Sequence, residues 1–237
     1  PCIIYHHIPG TLWSSGTFEI GKLMWRLHQC SAPHGLRQIE TTPQTLTEHS
    51  FTLSGRTAGF LSVLPSTPAL PPVPAAFLHG DIVAGNLIRS PKGVALIDWQ
   101  CPALGDPCHD IAVFLSPAMM QLYRGSSLSN VEIDDFFLGY DTPSIYERYQ
   151  VLAPWFHLRM AAYCFWKAER GDNEYLKAAQ LELAALSHFS SINQSDPELN
   201  TLSRQEPEAH DEIARPGTGP KVRQKSLATA YPAPAPK

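Results

Sequence analysis

Three oxygen-bearing side chains stand at a spacing that can do chemistry. The run His79-Gly80-Asp81-Ile82-Val83-Ala84-Gly85-Asn86 holds a carboxylate followed by an amide, and Ile97-Asp98-Trp99 adds a second carboxylate. A carboxylate beside a hydroxyl can orient it and take its proton. An amide oxygen and a carboxylate oxygen are hard ligands of the kind Mg²⁺ accepts together with phosphates and water. Such a set suits phosphoryl transfer, where the protein positions the reactants and neutralises charge and does little covalent work. The candidates are Asp81 for the hydroxyl and Asn86 with Asp98 for a metal ion, an assignment that the residue types alone leave open. Each of the three alone is an ordinary turn residue. Their order, with a hairpin between them, carries the functional reading.

The elements that must position them can be read locally. Residues 76–78 form a short apolar run that predicts a buried strand entering the loop. Residues 87–89 and 94–97 predict two strands around the turn Ser90-Pro91-Lys92-Gly93. That hairpin returns Asp98 to the neighbourhood of Asn86. Further on, Asp106 before Pro107 is a good helix cap with proline at the first helical position.

The pattern resembles the aminoglycoside phosphotransferase and choline kinase superfamily, whose members share a protein-kinase-like fold. Asp81 and Asn86 keep the step of the kinase catalytic loop, and Asp98 takes the place of the metal-binding aspartate that follows it. Gly80 stands where protein kinases carry arginine, which points to small-molecule acceptors. The run Leu104-Gly105-Asp106-Pro107-Cys108-His109-Asp110-Ile111-Ala112 extends the likeness, and by it His79, Asp106 and Asp110 act as structural support for the loop. Ile3-Ile4-Tyr5-His6-His7-Ile8-Pro9-Gly10 is similar to the hinge between the two lobes, so Tyr5, His6 and His7, together with Asn86, are expected at the nucleotide. The resemblance covers residues 3–189. It implies an α+β fold: a mainly α-helical C-terminal lobe with a short β-hairpin carrying the catalytic and metal residues. It also implies ATP and Mg²⁺ as cofactors. No glycine-rich phosphate cover or strand lysine precedes the hinge, so the N-terminal lobe is expected to be missing and this chain alone inactive. A catalytically silent binding module, or truncated relic, that kept the fold is the alternative. A two-metal hydrolase ranks last for want of a dense His and Asp cluster.

Composition sets further bounds. The 237 residues are 43% hydrophobic, enough to bury a sizeable core. A net charge of −4 gives no electrostatic case for nucleic acid. No apolar run is long enough to span a bilayer. Five cysteines with no C-x-x-C point to free thiols in a reducing cytoplasm. Cys101, Cys108 and His109 lie close in sequence but lack the fourth ligand of a zinc site.

The expected organisation is a hinge remnant over 1–10, a phosphotransferase lobe over 11–192 and a disordered tail over 193–237. The tail is rich in Pro, Ser, Glu and Gln and too poor in large apolar residues to offset its ordering entropy. Within the lobe, Thr17 is expected to cap a helix over 18–28 with Ile20, Leu23, Met24 and Leu27 inward. Residues 30–50 predict loop and a short helix, and 51–64 another helix interrupted by glycines. Residues 66–74 predict an extended proline-rich connection. Short helices follow over 118–123 and 131–140, the latter capped by Ser129. A helix over 144–152 should break or restart at Pro154, before a buried helix over 155–170. An amphipathic helix over 173–189 places Leu176, Leu183 and Leu186 in the core.

The acceptor is expected to be a small hydroxyl compound of choline, ethanolamine, thiamine or aminoglycoside type. The first three, all cations, are weakly preferred. Glu132, Asp134 and Asp135 are candidates to attract a cation, and Trp155, Tyr163 and Trp166 to wall it by cation–π contact.

Overall fold

The computed structural model describes residues 7–66 and 70–190. The expected positions of Tyr5 and His6 and the whole tail over 193–237 lie outside the described residues. The architecture is mixed α+β and mostly helical, with more strand than one hairpin. In chain order it runs β1 Thr11–Leu12, α1 Thr17–His28, β2 Arg37–Ile39, α2 Pro43–Leu53, a 3₁₀ segment Gly55–Val63, and β3 Ala76–Leu78. A single 3₁₀ turn, Ala84–Asn86, leads to β4 Leu87–Ser90 and β5 Gly93–Leu96, then β6 Ala103–Gly105. The helices α3 Cys108–Leu115, α4 Pro117–Arg124, α5 Asn130–Tyr140, α6 Pro143–Ala168 and α7 Glu174–Ser190 complete it.

Two three-stranded sheets frame the loop of interest. One has the order β1-β4-β5 and is antiparallel throughout. The other has the order β2-β6-β3, with β2 parallel and β3 antiparallel to β6. Strands of two or three residues carry almost no period; β3 is legible as an unbroken apolar run, whereas β1, β2 and β6 are absent from the expectations. No helix among the described residues is long and apolar enough to cross a membrane.

Helix α1 buries Ile20, Met24 and Leu27 as its spacing requires. Its N-cap is Gly16, and Thr17 is buried inside the helix, one residue off the expected cap. Helix α5 does have its Ser129 cap, in a reciprocal capping box with Glu132. These two helices touch backbone to backbone. A Cβ on Gly21 would come within 2.1 Å of the Phe136 carbonyl oxygen, and one on Gly139 within 2.1 Å of that of Phe18. Only hydrogen fits on either side.

Pro154 does not break the chain. Helix α6 runs through it for 26 residues. A proline in a helix interior costs about 3 kcal/mol. Here that cost is offset by what the helix buries on either side: Leu152, Ala153, Trp155, Phe156 and Leu158 are all at or below 4% exposure. Helix α7 keeps Leu186 buried and Leu183 half-buried as expected, but Tyr175 takes the inward position expected of Leu176. Tyr175, Ala178, Ala179, Glu182 and Leu186 are buried, whereas Leu176 is exposed. The face includes a carboxylate that apolar periodicity does not predict. Glu182 accepts from the hydroxyl of Ser116 and from Ala118 N at 3.0 Å, and meets His157 Nδ1 at 2.7 Å. One buried acid thus ties α7 to the start of α4 and to α6.

Gly21→Ala or Gly139→Ala forces α1 and α5 apart. Either should lower stability by about 1–3 kcal/mol, the range for overpacking, read as a drop in the urea midpoint with unchanged slope.

Candidate active site

The loop of interest leaves β3 at His79 and ends where β4 begins. Its first residues are held from below by one carboxyl group. Asp110, fully buried on α3, accepts the backbone N–H of His79 at 2.8 Å through Oδ2 and that of Gly80 at 2.8 Å through Oδ1. His28 Nε2 lies 3.2 Å from the same Oδ2, and His28 Nδ1 lies 2.7 Å from the Tyr140 hydroxyl. This geometry fits an imidazole that donates from Nε2 and accepts at Nδ1. Two helices, α1 and α5, therefore back the acid that holds the loop.

Gly80 is required here by space as well as by conformation. Its φ is 82°, and a Cβ would fall 2.3 Å from the carbonyl oxygen of Cys101. The arginine of the protein-kinase loop cannot occupy this backbone, which gives the glycine a steric cause.

The His79 ring joins the two carboxylate-bearing segments. The Asp81 N–H points to Nδ1 at 3.3 Å, and Nε2 lies 3.0 Å from the carbonyl of Ile97, the residue before Asp98. Burial lowers the His79 pKa below its usual value, against the opposing pull of Asp110, the Ile97 carbonyl and Asp98. A neutral ring protonated at Nε2 satisfies both contacts.

Asn86 completes the arrangement. Its amide nitrogen donates to the Asp81 carbonyl at 2.9 Å and to Asp81 Oδ2 at 3.2 Å. With the nitrogen spent on Asp81, the amide oxygen is left to face another partner. The hairpin then does what its sequence predicts. Leu87 pairs with Leu96, and one step further the Ile97 N–H donates to the Asn86 backbone carbonyl at 3.0 Å. Asp98 follows directly, with φ 64° in the left-handed region, a conformation costing a non-glycine residue about 1–2 kcal/mol. Asp81 and Asn86 are buried, and Asp98 is partly exposed. The carboxylates of Asp81 and Asp98 both act on the Cys101 thiol, whose pKa is raised first by burial, so they share one neighbourhood.

The donor set fits Mg²⁺. Among the described residues no group of three or more His, Cys, Asp or Glu side chains is placed to cage a metal. One carboxylate and one amide oxygen are the protein share that Mg²⁺ takes when phosphates and water supply the rest.

The other sequence candidates fall as follows. His7 is exposed in the segment before β1. Asp106 accepts from Cys108 N at 2.9 Å and pairs with Arg148 Nε at 2.6 Å, so it ties the start of α3 to α6, although the N-cap is Pro107, one residue past the expected one. The expected aromatic wall is assembled only in part: Tyr163 and Trp166 stack with ring centroids 6.0 Å apart. Trp155 is buried in the cluster around α1 and α5, apart from Tyr163 and Trp166, and Trp166 stacks on Arg170 at 4.1 Å. Glu132 is occupied by its capping box and by Arg124.

A different aromatic group stands by the loop. Tyr123, Tyr163 and Tyr175 come from α4, α6 and α7, and the Asp81 charge helps hold the first two phenols well above their usual pKa, after burial. Burial does the same for Tyr175. Tyr123 also packs against Gly85, 3.0 Å from where a Cβ would be. Arg37, at the loop end of β2, lies 3.4 Å from the Cys101 carbonyl through Nη2. Of these only Tyr163 is legible in the sequence, because the others gain their position from helix packing.

Residues 14–152, more than half of the chain, match the phosphotransferase enzyme family (APH), and the chain belongs to that family. Its fold is similar to that of a choline/ethanolamine kinase family protein from Mesorhizobium loti, with TM-score 0.51 and 14% identity over 78% of this chain and 63% of that one. It is also similar to a Plasmodium vivax ethanolamine kinase, with TM-score 0.50 and 14% identity over 72% and 59% of the respective chains. A spectinomycin phosphotransferase solved with ADP and spectinomycin aligns at TM-score 0.43 and 18% identity over 79% and 69%. The chain thus spans about three fifths of the length of the two kinases. No curated protein matches it.

Two outcomes follow from this geometry. Asp110→Ala leaves two buried N–H groups without an acceptor, at about 1–3 kcal/mol each, and urea unfolding should show a loss of about 2–6 kcal/mol. His79, and His109 with its pKa well below the usual value mainly through burial, are neutral in the folded state where the unfolded chain is already protonated. The unfolded state then binds more protons, so stability rises with pH in that window. Their contribution is present above the unfolded value near 6.5 and is lost as pH falls below it. The urea midpoint should drop between pH 7.5 and 5.5, and less so in His109→Gln.

Proposed function

We propose that this chain is the catalytic part of an ATP-dependent phosphotransferase that transfers the γ-phosphate to the hydroxyl of a small molecule. The observation that carries the reading is the His79 ring, bonded at one side to the Asp81 backbone and at the other to the carbonyl preceding Asp98. It fixes the two carboxylates relative to one another, with Asn86 between them.

Asp81 orients the acceptor hydroxyl and receives its proton. The Asn86 amide steadies that carboxylate through Nδ2 and keeps its oxygen for the metal side. Asp98 supplies the charged oxygen ligand. Bound Mg²⁺ neutralises charge on the nucleotide phosphates. Asp110 holds His79 and Gly80, so the loop needs little rearrangement when reactants arrive.

Amino alcohols of choline, ethanolamine or thiamine type are the preferred acceptors, ahead of aminoglycosides. Tyr123 supports this reading. Tyr163 and Tyr175 are buried, whereas the half-buried Tyr123 feels the Asp81 charge and is the ring of the three open to a cation, a contact worth about 0.5–2 kcal/mol.

The test is ADP release by the protein expressed from its full gene, screened over amino alcohols, thiamine and aminoglycosides. Asp81→Ala should lower kcat roughly 100- to 10,000-fold, the scale of a lost general base. Undiminished turnover in that variant would falsify its role. Asp98→Gly separates function from stability. It relieves the left-handed strain, so the urea midpoint should hold or rise, while Mg²⁺-dependent nucleotide binding measured by calorimetry should be lost. Failure of every acceptor, with Mg²⁺–ATP binding intact, would make the chain a binding module.

A further inference from the structure

A second, differently charged site lies at the far end of the hairpin. Between α1 and the turn joining β4 to β5 is a concavity of about 260 Å³ with Lys22, Arg26 and Lys92 around it and Val94 in its lining. Lys22 and Arg26 are one helical turn apart and meet Lys92 from the opposite strand turn. Like charges at this helical spacing repel, so the grouping is unfavourable when nothing lies between them. The carboxylate that could relieve it is taken. Glu19, also in the lining, is held by Arg89 Nη1 at 2.7 Å, while Arg89 Nη2 donates to the Ser15 carbonyl at 2.6 Å. Among the described residues Lys22, Arg26 and Lys92 have no carboxylate partner. The Lys22 ammonium has only the Phe18 ring, 5.6 Å away. This happens in a chain whose net charge is −4.

We infer that this concavity binds a small, multiply charged phosphate-type oxyanion, held by Lys22, Arg26 and Lys92. Its volume equals roughly that of eight or nine waters at about 30 Å³ each. That is room for a phosphate or pyrophosphate group with part of its hydration shell. The site is separate from the catalytic loop. The four residues of β4 lie between the turn and Asn86, about 13 Å at 3.3 Å per residue. An anion here bridges α1 to the tip of the hairpin whose other end carries Asn86 and Asp98.

The experiment is calorimetric titration of the full chain with pyrophosphate, without Mg²⁺ and in 150 mM NaCl, with phosphate and sulfate as comparison arms. The expected result is saturable one-to-one binding of pyrophosphate, tighter than either comparison ion. Lys22→Ala, Arg26→Ala and Lys92→Ala should each weaken it about threefold to tenfold, as loss of one exposed charge contact does. All three side chains are exposed, so the variants should keep the native circular dichroism spectrum. Asp98→Asn should leave binding unchanged. Non-saturating heats, equal binding of sulfate, indifference to the three substitutions, or a response to Asp98→Asn would each overturn the assignment. The last result would place the anion at the catalytic loop instead.

Discussion

The carboxyl group of Asp110 has no water to turn to, and everything near the loop is arranged around that fact. A buried acid must find its hydrogen bonds inside the protein. It finds them in two successive backbone N–H groups and one imidazole. The groups it satisfies are those of His79 and Gly80, so the demand of one buried oxygen pair sets where the loop begins. Because α3 carries Asp110, α1 carries His28 and α5 carries Tyr140, the packing of three helices is converted into the position of a turn. The glycine contacts between α1 and α5 belong to the same chain of causes, since they set how closely His28 and Tyr140 approach.

The division of labour among the oxygen-bearing side chains follows from which of their atoms are already committed. Asn86 spends its nitrogen within the loop, and Asp106 spends both oxygens on the start of α3 and Arg148. Asp98 alone of the three carboxylates at the loop is partly open to solvent, and it pays for its direction with a left-handed backbone. Strain held at one such residue is common where a side chain must point against the run of its strand.

Much of the loop could be read directly from the residues. The spacing of Asp81, Asn86 and Asp98 with a turn of Ser-Pro-Lys-Gly between two apolar runs is a local signal, and the hairpin it implies is present. Helices α1 and α5 are legible because their period, and for α5 its capping box, is short-range. The misses beyond the α1 cap and the short strands are long-range. The inward face of α7 is only partly legible because it includes Glu182, which is buried by partners from α3–α4 and α6 that no window of sequence contains. Pro154 looked like a boundary because local propensity ignores the aromatic burial around it. Trp155, Tyr163 and Trp166 lie on one helix, whereas the tyrosines that feel the Asp81 charge come from two, α4 and α6.

The pinning of α7 by Glu182 has a bearing on how short a working version of this fold can be. Cutting the polypeptide before residue 182 would do more than shed a peripheral helix. It would strand the Ser116 hydroxyl and the Ala118 amide in an apolar interior and take from His157 its carboxylate. The smallest autonomous fragment therefore extends past Leu186, and gene fusions or deletions are better tolerated beyond that residue than before it.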